Sequence, residues 1–146
     1  MLFVSVSEIL VDAELPAARN EKVSAVAMET NPDAHQIVNL TTSDFDGYIN
    51  GGPLVFVDFW AVWCPPCRAM EPAVERLAAK YSGKMAFGKV NTDEAPEIAT
   101  RYDVLSIPTF MTFKNGRPLE ATVGAVGEVA LDRLIQKSMG SNTFGR

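Results

Sequence analysis

The chain is poor in the residues on which several common classes of protein depend. Its 146 residues include only two cysteines and one histidine, too few for an ordinary four-ligand zinc site or a secreted disulfide scaffold. The formal net charge is -5, whereas a nucleic-acid partner requires a basic face to meet its phosphates. No segment approaches the roughly 20 apolar residues that cross a bilayer. These absences predict no metal site, no nucleic-acid partner and no membrane association.

The chain divides into a short irregular region and a longer periodic one. Residues 1–8 lack the basic segment of a secretory signal and have only a short apolar run, so we expect a cytoplasmic location. Residues 1–35 show no clear hydrophobic period and are predicted to be an N-terminal extension, partly disordered or loosely docked. Residues 36–140 are long enough for one domain with a hydrophobic core, and residues 141–146 form a C-terminal tail. His35 is assigned no function.

Hydrophobic periodicity within the domain predicts alternating strands and helices. Residues 54–59 form a continuous apolar run with one acid, which suits a central strand buried on both faces. Residues 67–81 place their apolar side chains on one stripe of a helix, and Asn115-Gly116 signals a hairpin turn. The other predicted strands are at 36–40, 85–90, 109–113 and 119–123. Three further helices are predicted: one capped by Ser43, one that begins at Asp93 and one that covers 128–139. This order predicts an α/β fold, with a central mixed β-sheet flanked by helices on both faces.

The two cysteines, Cys64 and Cys67, stand three positions apart, between the central strand and the next helix. A bridge this short removes little entropy from the unfolded chain, so redox chemistry explains it better than structural stapling. The thiolate is the reactive form, and a helix N-terminus favours an anion. We therefore expect Cys64, just before the helix, to be the nucleophile. Cys67, inside the first turn and more shielded, is the expected resolving thiol.

Two other readings of the cysteine pair are zinc binding and an inert pair of thiols. Zinc usually needs four ligands, and the position between a strand and a helix is typical of redox-active cysteines.

Pro65 and Pro66 between the cysteines have no backbone N–H. The N–H of Cys67 is therefore the nearest expected backbone donor to the Cys64 sulfur.

Several segments, in one order along the chain, resemble the thioredoxin family. They are VDFWAVWCPPC at 57–67, KVNTD at 89–93, IPT at 107–109, FKNG at 113–116 and VG at 123–124. The resemblance covers about residues 36–139 and implies the thioredoxin fold. It also implies a protein-disulfide reductase with no bound cofactor, which acts on disulfide-containing target proteins and is recharged by an upstream thioredoxin reductase. The chain departs from the family in the extension and in Pro65-Pro66, where the commonest dipeptide is Gly-Pro.

The resemblance also assigns roles to two charged residues. Asp58 is an acid in an otherwise apolar strand, and burial without a partner would raise its pKa. The matching family residue assists proton transfer from the resolving cysteine, and Lys89 matches its lysine partner. The alternatives are an edge acid for Asp58 and a solvated surface side chain for Lys89.

Target binding is expected on an apolar surface around Cys64. The resemblance implies that the Ile107–Pro108 peptide is cis and faces the cysteines, although most such peptides are trans. The backbone of Ile107 would then hydrogen-bond an extended substrate segment. Gly124 would allow close approach of a partner backbone, or is simply a turn glycine. The predicted substrate-binding residues are Trp63, Pro65, Pro66, Ile107, Pro108, Val123 and Gly124.

Two other functions remain open for the same fold. One is a disulfide oxidase or isomerase of an oxidising compartment, which altered residues between the cysteines would suit. The other is a non-catalytic binding module that uses the fold as a docking surface. The absence of an export signal argues against the first, and the intact Cys64 and Cys67 argue against the second.

Overall fold

A computed structural model describes residues 36–52 and 54–144 of the chain. The predicted extension, residues 1–35, lies outside the described residues, as does His35. The described part contains four helices, and none of them is long and apolar enough to cross a membrane. In chain order the elements are β1 (Ile37–Leu40), α1 (Phe45–Asn50), β2 (Leu54–Trp60), α2 (Pro65–Lys80), β3 (Ala86–Asn91), α3 (Pro96–Arg101), β4 (Thr109–Lys114), β5 (Arg117–Val123) and α4 (Glu128–Phe144).

The five strands of this region form one mixed sheet in the order β1-β3-β2-β4-β5. Strands β1, β3 and β2 run parallel, and β4 runs antiparallel to both β2 and β5. The predicted α/β fold with a central mixed sheet is therefore confirmed. Strand β2 lies at the centre, which explains its continuous apolar sequence, because it has no face in contact with solvent.

Alternate side chains of β2 pack into two separate hydrophobic cores, one on each face of the sheet. Leu54 and Phe56 pack with apolar residues of α2 and α4. Val55, Val57 and Phe59 pack with apolar residues of α1 and α3. Helices thus cover both faces, as predicted, and Asp58 points to the face that carries α2 and α4 because it shares the parity of Phe56.

The hairpin between β4 and β5 forms where the sequence predicted it. Asn115 and Gly116 have φ values of 53° and 80°, the positive values that a two-residue hairpin turn requires. Among the strands of the described region, β5 pairs with β4 alone and is the least buried, so its predicted place at an edge is also correct.

Four predicted helix boundaries differ from the structure. Helix α3 begins at Pro96 rather than at Asp93, because Asp93 and Glu94 lie in a turn whose amides bond the side chain of Asn91. Helix α2 begins at Pro65 rather than residue 67, because proline is favoured in the first turn, where its missing N–H costs nothing. Ser43 does not cap α1: its hydroxyl bonds that of Thr41, and Asp44 precedes the helix. Helix α4 continues to Phe144, so most of the segment predicted as a tail, 141–146, is helical.

Candidate active site

The two cysteines meet at the start of α2, just beyond the end of β2. A disulfide joins Cys64 to Cys67, with 5.3 Å between their Cα atoms, so the structure describes the oxidised form. Cys64 is the N-cap residue of α2, and its Sγ accepts a hydrogen bond of 3.2 Å from the N–H of Cys67. This is the backbone donor that the sequence predicted. The amide would stabilise negative charge on the Cys64 sulfur when the pair is reduced.

Exposure does not distinguish the two sulfurs in this form. Cys64 and Cys67 are each 2% exposed and pack together with Ala61. The expectation that Cys67 is more shielded than Cys64 is therefore wrong for the disulfide, because the bridge holds both sulfurs against the same neighbours. The difference between them lies in helix position and in the direction of the hydrogen bond. Pro65 and Pro66, by contrast, are exposed.

A cis proline loop lies against the disulfide. The Ile107–Pro108 peptide is cis, as the family resemblance implied. The carbonyl oxygen of Ile107 lies 3.9 Å from Cys64 Sγ. The carbonyl of Pro108 accepts a hydrogen bond of 2.8 Å from the N–H of Gly124, whose φ is 101°. Backbone at this positive φ favours glycine, so Gly124 also serves to hold the loop beside the cysteines.

An open groove of about 390 Å³ lies beside this loop. Trp63 forms one wall; its side chain is largely exposed, and its Nε1 donates a 2.7 Å hydrogen bond to Asp93. Leu105 is 93% exposed, and Val123 is exposed on β5. Large apolar side chains at the surface are a mark of binding sites. The groove is lined by Trp63, Thr92, Val104, Leu105, Ser106 and Ile107.

The sequence prediction included Trp63 and Ile107 from this groove but missed Leu105. Leu105 is an apolar residue in a loop, two positions before Ile107. Leu105 falls outside the predicted elements, since the next predicted strand begins only at residue 109. An apolar residue with no predicted place in the core indicates an exposed side chain. Hydropathy by itself does not separate such a side chain from a buried one.

Asp58 is a buried carboxylate that lacks a counter-ion in contact. It is 4% exposed, and its Oδ1 has no hydrogen-bond partner in the described part of the chain. Burial raises its pKa from 3.8 to about 7, while the charge of Lys89 lowers it and that of Glu71 raises it. The alternative of an exposed edge acid is therefore wrong, because β2 is central.

Lys89 lies next to Asp58 in the sheet but is held elsewhere. The two residues are register partners in β2 and β3. The Nζ of Lys89 lies 3.9 Å from Glu71 Oε2 and 4.3 Å from the centre of the Trp60 ring. Its side chain is 21% exposed, so it is not a freely solvated lysine. The sequence prediction missed Glu71, which helical spacing from Cys67, four residues earlier, could have brought to notice.

A metal site is not found in this region. Across residues 36–52 and 54–144, no three His, Cys, Asp or Glu side chains gather into a group that could hold a metal ion. The cysteine pair itself forms the disulfide.

Comparison with known sequences points to one family. The sequence model described as Thioredoxin matches residues 36–137. The chain is 40% identical over 120 residues to the spinach protein named thioredoxin M-type, chloroplastic, covering 82% of this chain and 66% of that protein. It is 42% identical over 103 residues to thioredoxin of Staphylococcus aureus, covering 70% of this chain and 98% of that protein. The chain thus spans about two thirds of the spinach relative.

Solved structures agree with the sequence comparison. A thioredoxin of Plasmodium falciparum superposes with a TM-score of 0.65 at 38% identity, covering 69% of this chain and 98% of that one. A mutant thioredoxin of Halobacterium salinarum superposes with a TM-score of 0.66 at 34% identity, covering 73% of this chain and 91% of that one.

Proposed function

The chain belongs to the thioredoxin family, and from that premise we propose that it reduces the disulfides of other proteins. Its domain is a thiol–disulfide oxidoreductase, since it matches the sequence of a thioredoxin that it covers almost in full and carries a cysteine pair at disulfide distance. The observation that carries the proposal is the hydrogen bond from the N–H of Cys67 to the sulfur of Cys64 at the start of α2. This hydrogen bond supports Cys64 as the sulfur that is stabilised as an anion in the reduced protein.

The reaction consists of two exchanges. The Cys64 thiolate attacks one sulfur of a target disulfide, and the other target sulfur leaves as a thiolate, which takes a proton from solvent. Cys67 then loses its proton and attacks Cys64 in the mixed disulfide, which releases the second target thiolate. Two electrons have passed to the target, and the Cys64–Cys67 disulfide remains, which is the form described here. An upstream thioredoxin reductase restores the dithiol.

Asp58 is proposed to accept the proton of Cys67. Its pKa, raised by burial to about 7, suits a group that gains and loses a proton at neutral pH. A cavity of about 20 Å³ beside it is large enough for one water molecule. Lys89 modulates this carboxylate from the neighbouring strand.

Target proteins are proposed to dock on the surface around the cis proline loop. The exposed Trp63 and Val123 provide apolar contact, together with Pro65 and Pro66 beside the disulfide. An extended target segment would pair with the backbone of Ile107 at the edge of the groove, next to Pro108 and Gly124. This arrangement presents the target sulfur to Cys64, because Ile107 and Cys64 are in contact.

Trapping variants test the roles of the two sulfurs. Reduced Cys67→Ser should accumulate mixed disulfides with insulin, because nothing resolves them, and Cys64→Ser should accumulate few. Wild-type protein with a chemical dithiol should reduce insulin catalytically. If Cys64→Ser trapped as much insulin as Cys67→Ser, the assignment of the nucleophile would be wrong.

A measured potential separates the reductase from an oxidase or isomerase. Equilibration with glutathione buffers should give a reduction potential near that of reducing thioredoxins, about -270 mV. A strong oxidant would have a reduction potential of about -120 mV.

A non-catalytic module would keep its biological effect when both cysteines are replaced by serine. A reductase would lose it.

The compartment is proposed to be the cytoplasm, because a reductase needs a reducing environment. The spinach relative is a chloroplastic protein by name, so an organelle is the competing location. Cell fractionation followed by immunoblotting distinguishes the two: recovery of the protein in the organelle fraction would contradict the proposal.

A further inference from the structure

Helix α2 brings a second carboxylate to the neighbourhood of Asp58. Glu71 lies one helical turn after the buried Cys67, on the same side of the helix, and its side chain is 40% exposed. It contributes to the same cavity of about 20 Å³ as Asp58. The cavity is lined by Ile37, Asp58, Glu71, Val74, Glu75 and Lys89.

The ammonium of Lys89 forms an ion pair with Glu71. The distance from Nζ to Glu71 Oε2 is 3.9 Å, and the ammonium also lies over the Trp60 ring. In the described region no ion pair within 4.0 Å joins Lys89 to Asp58, although they are register partners. Glu71 and Trp60 are thus the two groups in contact with the cation, and the buried carboxylate is not in ion-pair contact with it.

Few other charged side chains of residues 36–52 and 54–144 lie close to Asp58. Glu75 lies one turn beyond Glu71 on α2 and also lines the cavity, but it is exposed and does not contribute to the shifted pKa of Asp58. From α4, Glu128 and Asp132 are paired with basic residues of α2. Strand β4 places the uncharged Phe110 beside Asp58. Glu71 is thus the acidic neighbour that bears on Asp58.

We propose that Glu71 is a positioning residue for the redox reaction: by binding Lys89 it keeps that cation from pairing with Asp58. The proposal rests on the role of Asp58 as the base for Cys67. A salt bridge would hold Asp58 as a carboxylate of low basicity, which accepts a proton from a thiol poorly. With Lys89 held by Glu71, the proton can pass from the Cys67 thiol to Asp58 as the sulfur attacks the mixed disulfide.

The test compares Glu71→Gln with Glu75→Gln. Both changes remove one negative charge from the same face of α2 at the same cavity, but only Glu71 is within ion-pair distance of Lys89. The carboxyl carbon of Asp58 is followed by NMR across pH in the oxidised protein. We expect its titration midpoint to fall by roughly half a unit or more in Glu71→Gln and to stay within about 0.2 unit in Glu75→Gln.

The kinetic readout is the pH profile of mixed-disulfide resolution in a single turnover. Its midpoint should move down in Glu71→Gln together with the Asp58 titration, while thermal unfolding of the two variants stays alike. An unchanged Asp58 midpoint in Glu71→Gln, or an equal shift in Glu75→Gln, would overturn the proposal. If Asp58→Asn keeps the wild-type profile, the role of Asp58 as base fails, while the NMR titration still reports on Glu71.

Removal of Lys89 tests whether Glu71 acts through it. In a Lys89→Met background, Glu71→Gln should shift the Asp58 midpoint by less than half of its effect in the wild type. The reason is that no cation remains to be released toward Asp58. An equal shift in both backgrounds would mean that Glu71 acts on Asp58 directly, and the positioning role would be rejected.

Discussion

Asp58 and Lys89 lie opposite each other in adjacent parallel strands, and yet the carboxylate is buried without an ion pair to this lysine. Its folded-state pKa is raised from 3.8 to about 7. The folded protein therefore binds this proton more tightly than the unfolded chain does. The contribution of protonated Asp58 to the free energy of unfolding is fully present below about pH 4 and is lost as the pH rises through about 7.

Asp58→Asn should be more stable than the wild type at alkaline pH. Three units of pKa correspond to about 4 kcal/mol, so the advantage of the variant should grow by about 3 to 4 kcal/mol between pH 4 and pH 8. Urea unfolding of the oxidised proteins at a series of pH values measures this difference. A difference that stays constant with pH would show that the carboxylate is not destabilised by burial.

The sequence was sufficient for those parts of the fold that local rules control. The apolar run of β2 and the Asn115-Gly116 turn carry their own signals, since burial on both faces and positive φ each select particular residues. The site was predictable in the same way, because Cys64 and Cys67 lie beside each other at one strand–helix junction. The cis geometry of Pro108 needed the family resemblance, because a sequence does not display the isomer.

Contacts between distant segments were not predictable. Lys89 and Glu71 are 18 positions apart, and only the packing of α2 on β3 brings them together. The prediction for the start of α2 was wrong for a local reason. A proline is found both just before a helix and as the first residue of one, and Pro65 is the first residue of α2. Ser43 was predicted to be the N-cap because it precedes an apolar helical pattern. The helix begins one residue later than predicted, so Asp44 occupies the N-cap position.

Gly88 is predicted to accept a side chain only with a loss of stability. A Cβ there would lie 2.7 Å from Leu40 Cδ1 and 3.3 Å from Tyr48 Cε2, and Leu40 is buried and has little room to move. Gly88→Ala should therefore lower the free energy of unfolding by about 1 to 3 kcal/mol. Gly47→Ala is the matched control: this glycine is exposed in α1 and a Cβ would meet nothing within 4 Å.

The control should change stability in the opposite direction. Alanine replaces glycine in a helix interior with a gain of up to about 1 kcal/mol. Both variants are compared with the wild type by urea unfolding of the oxidised protein. Equal stability of Gly88→Ala and the wild type would show that β1 and α1 shift readily to accept the methyl group.

A protein that begins at residue 36 is predicted to be a complete reductase. Within the described residues the sheet starts at Ile37, and two hydrophobic cores pack against it. The family match likewise covers residues 36–137. Deletion of residues 1–35 should leave kcat/KM for insulin reduction within about twofold, which is less than 1 kcal/mol, and thermal unfolding unchanged. A tenfold loss would mean that the deleted segment takes part in the fold or in the site.

Pro66, rather than Pro65, is predicted to limit how well the Cys64 thiolate is stabilised. Pro65 and Pro66 are the first and second residues of α2, and an N-cap side chain accepts hydrogen bonds from the second or third amide. The third amide, that of Cys67, already donates to Cys64 Sγ at 3.2 Å. Pro66→Ala would supply the second donor, whereas Pro65→Ala would add an N–H that does not reach the sulfur.

The measurement is the rate of Cys64 alkylation by iodoacetamide across pH in the reduced variants. One more charge-assisted hydrogen bond contributes about 1.5 to 3 kcal/mol at best, and the loss of proline rigidity offsets part of it. We expect the pH midpoint of alkylation to fall by about half to one unit in Pro66→Ala and by less than about 0.2 unit in Pro65→Ala. A more stable thiolate favours the dithiol, so Pro66→Ala should also be the weaker reductant, by up to about 30 mV against glutathione. Equal midpoints in the two variants would show that chain rigidity, and not the number of amide donors, controls this sulfur.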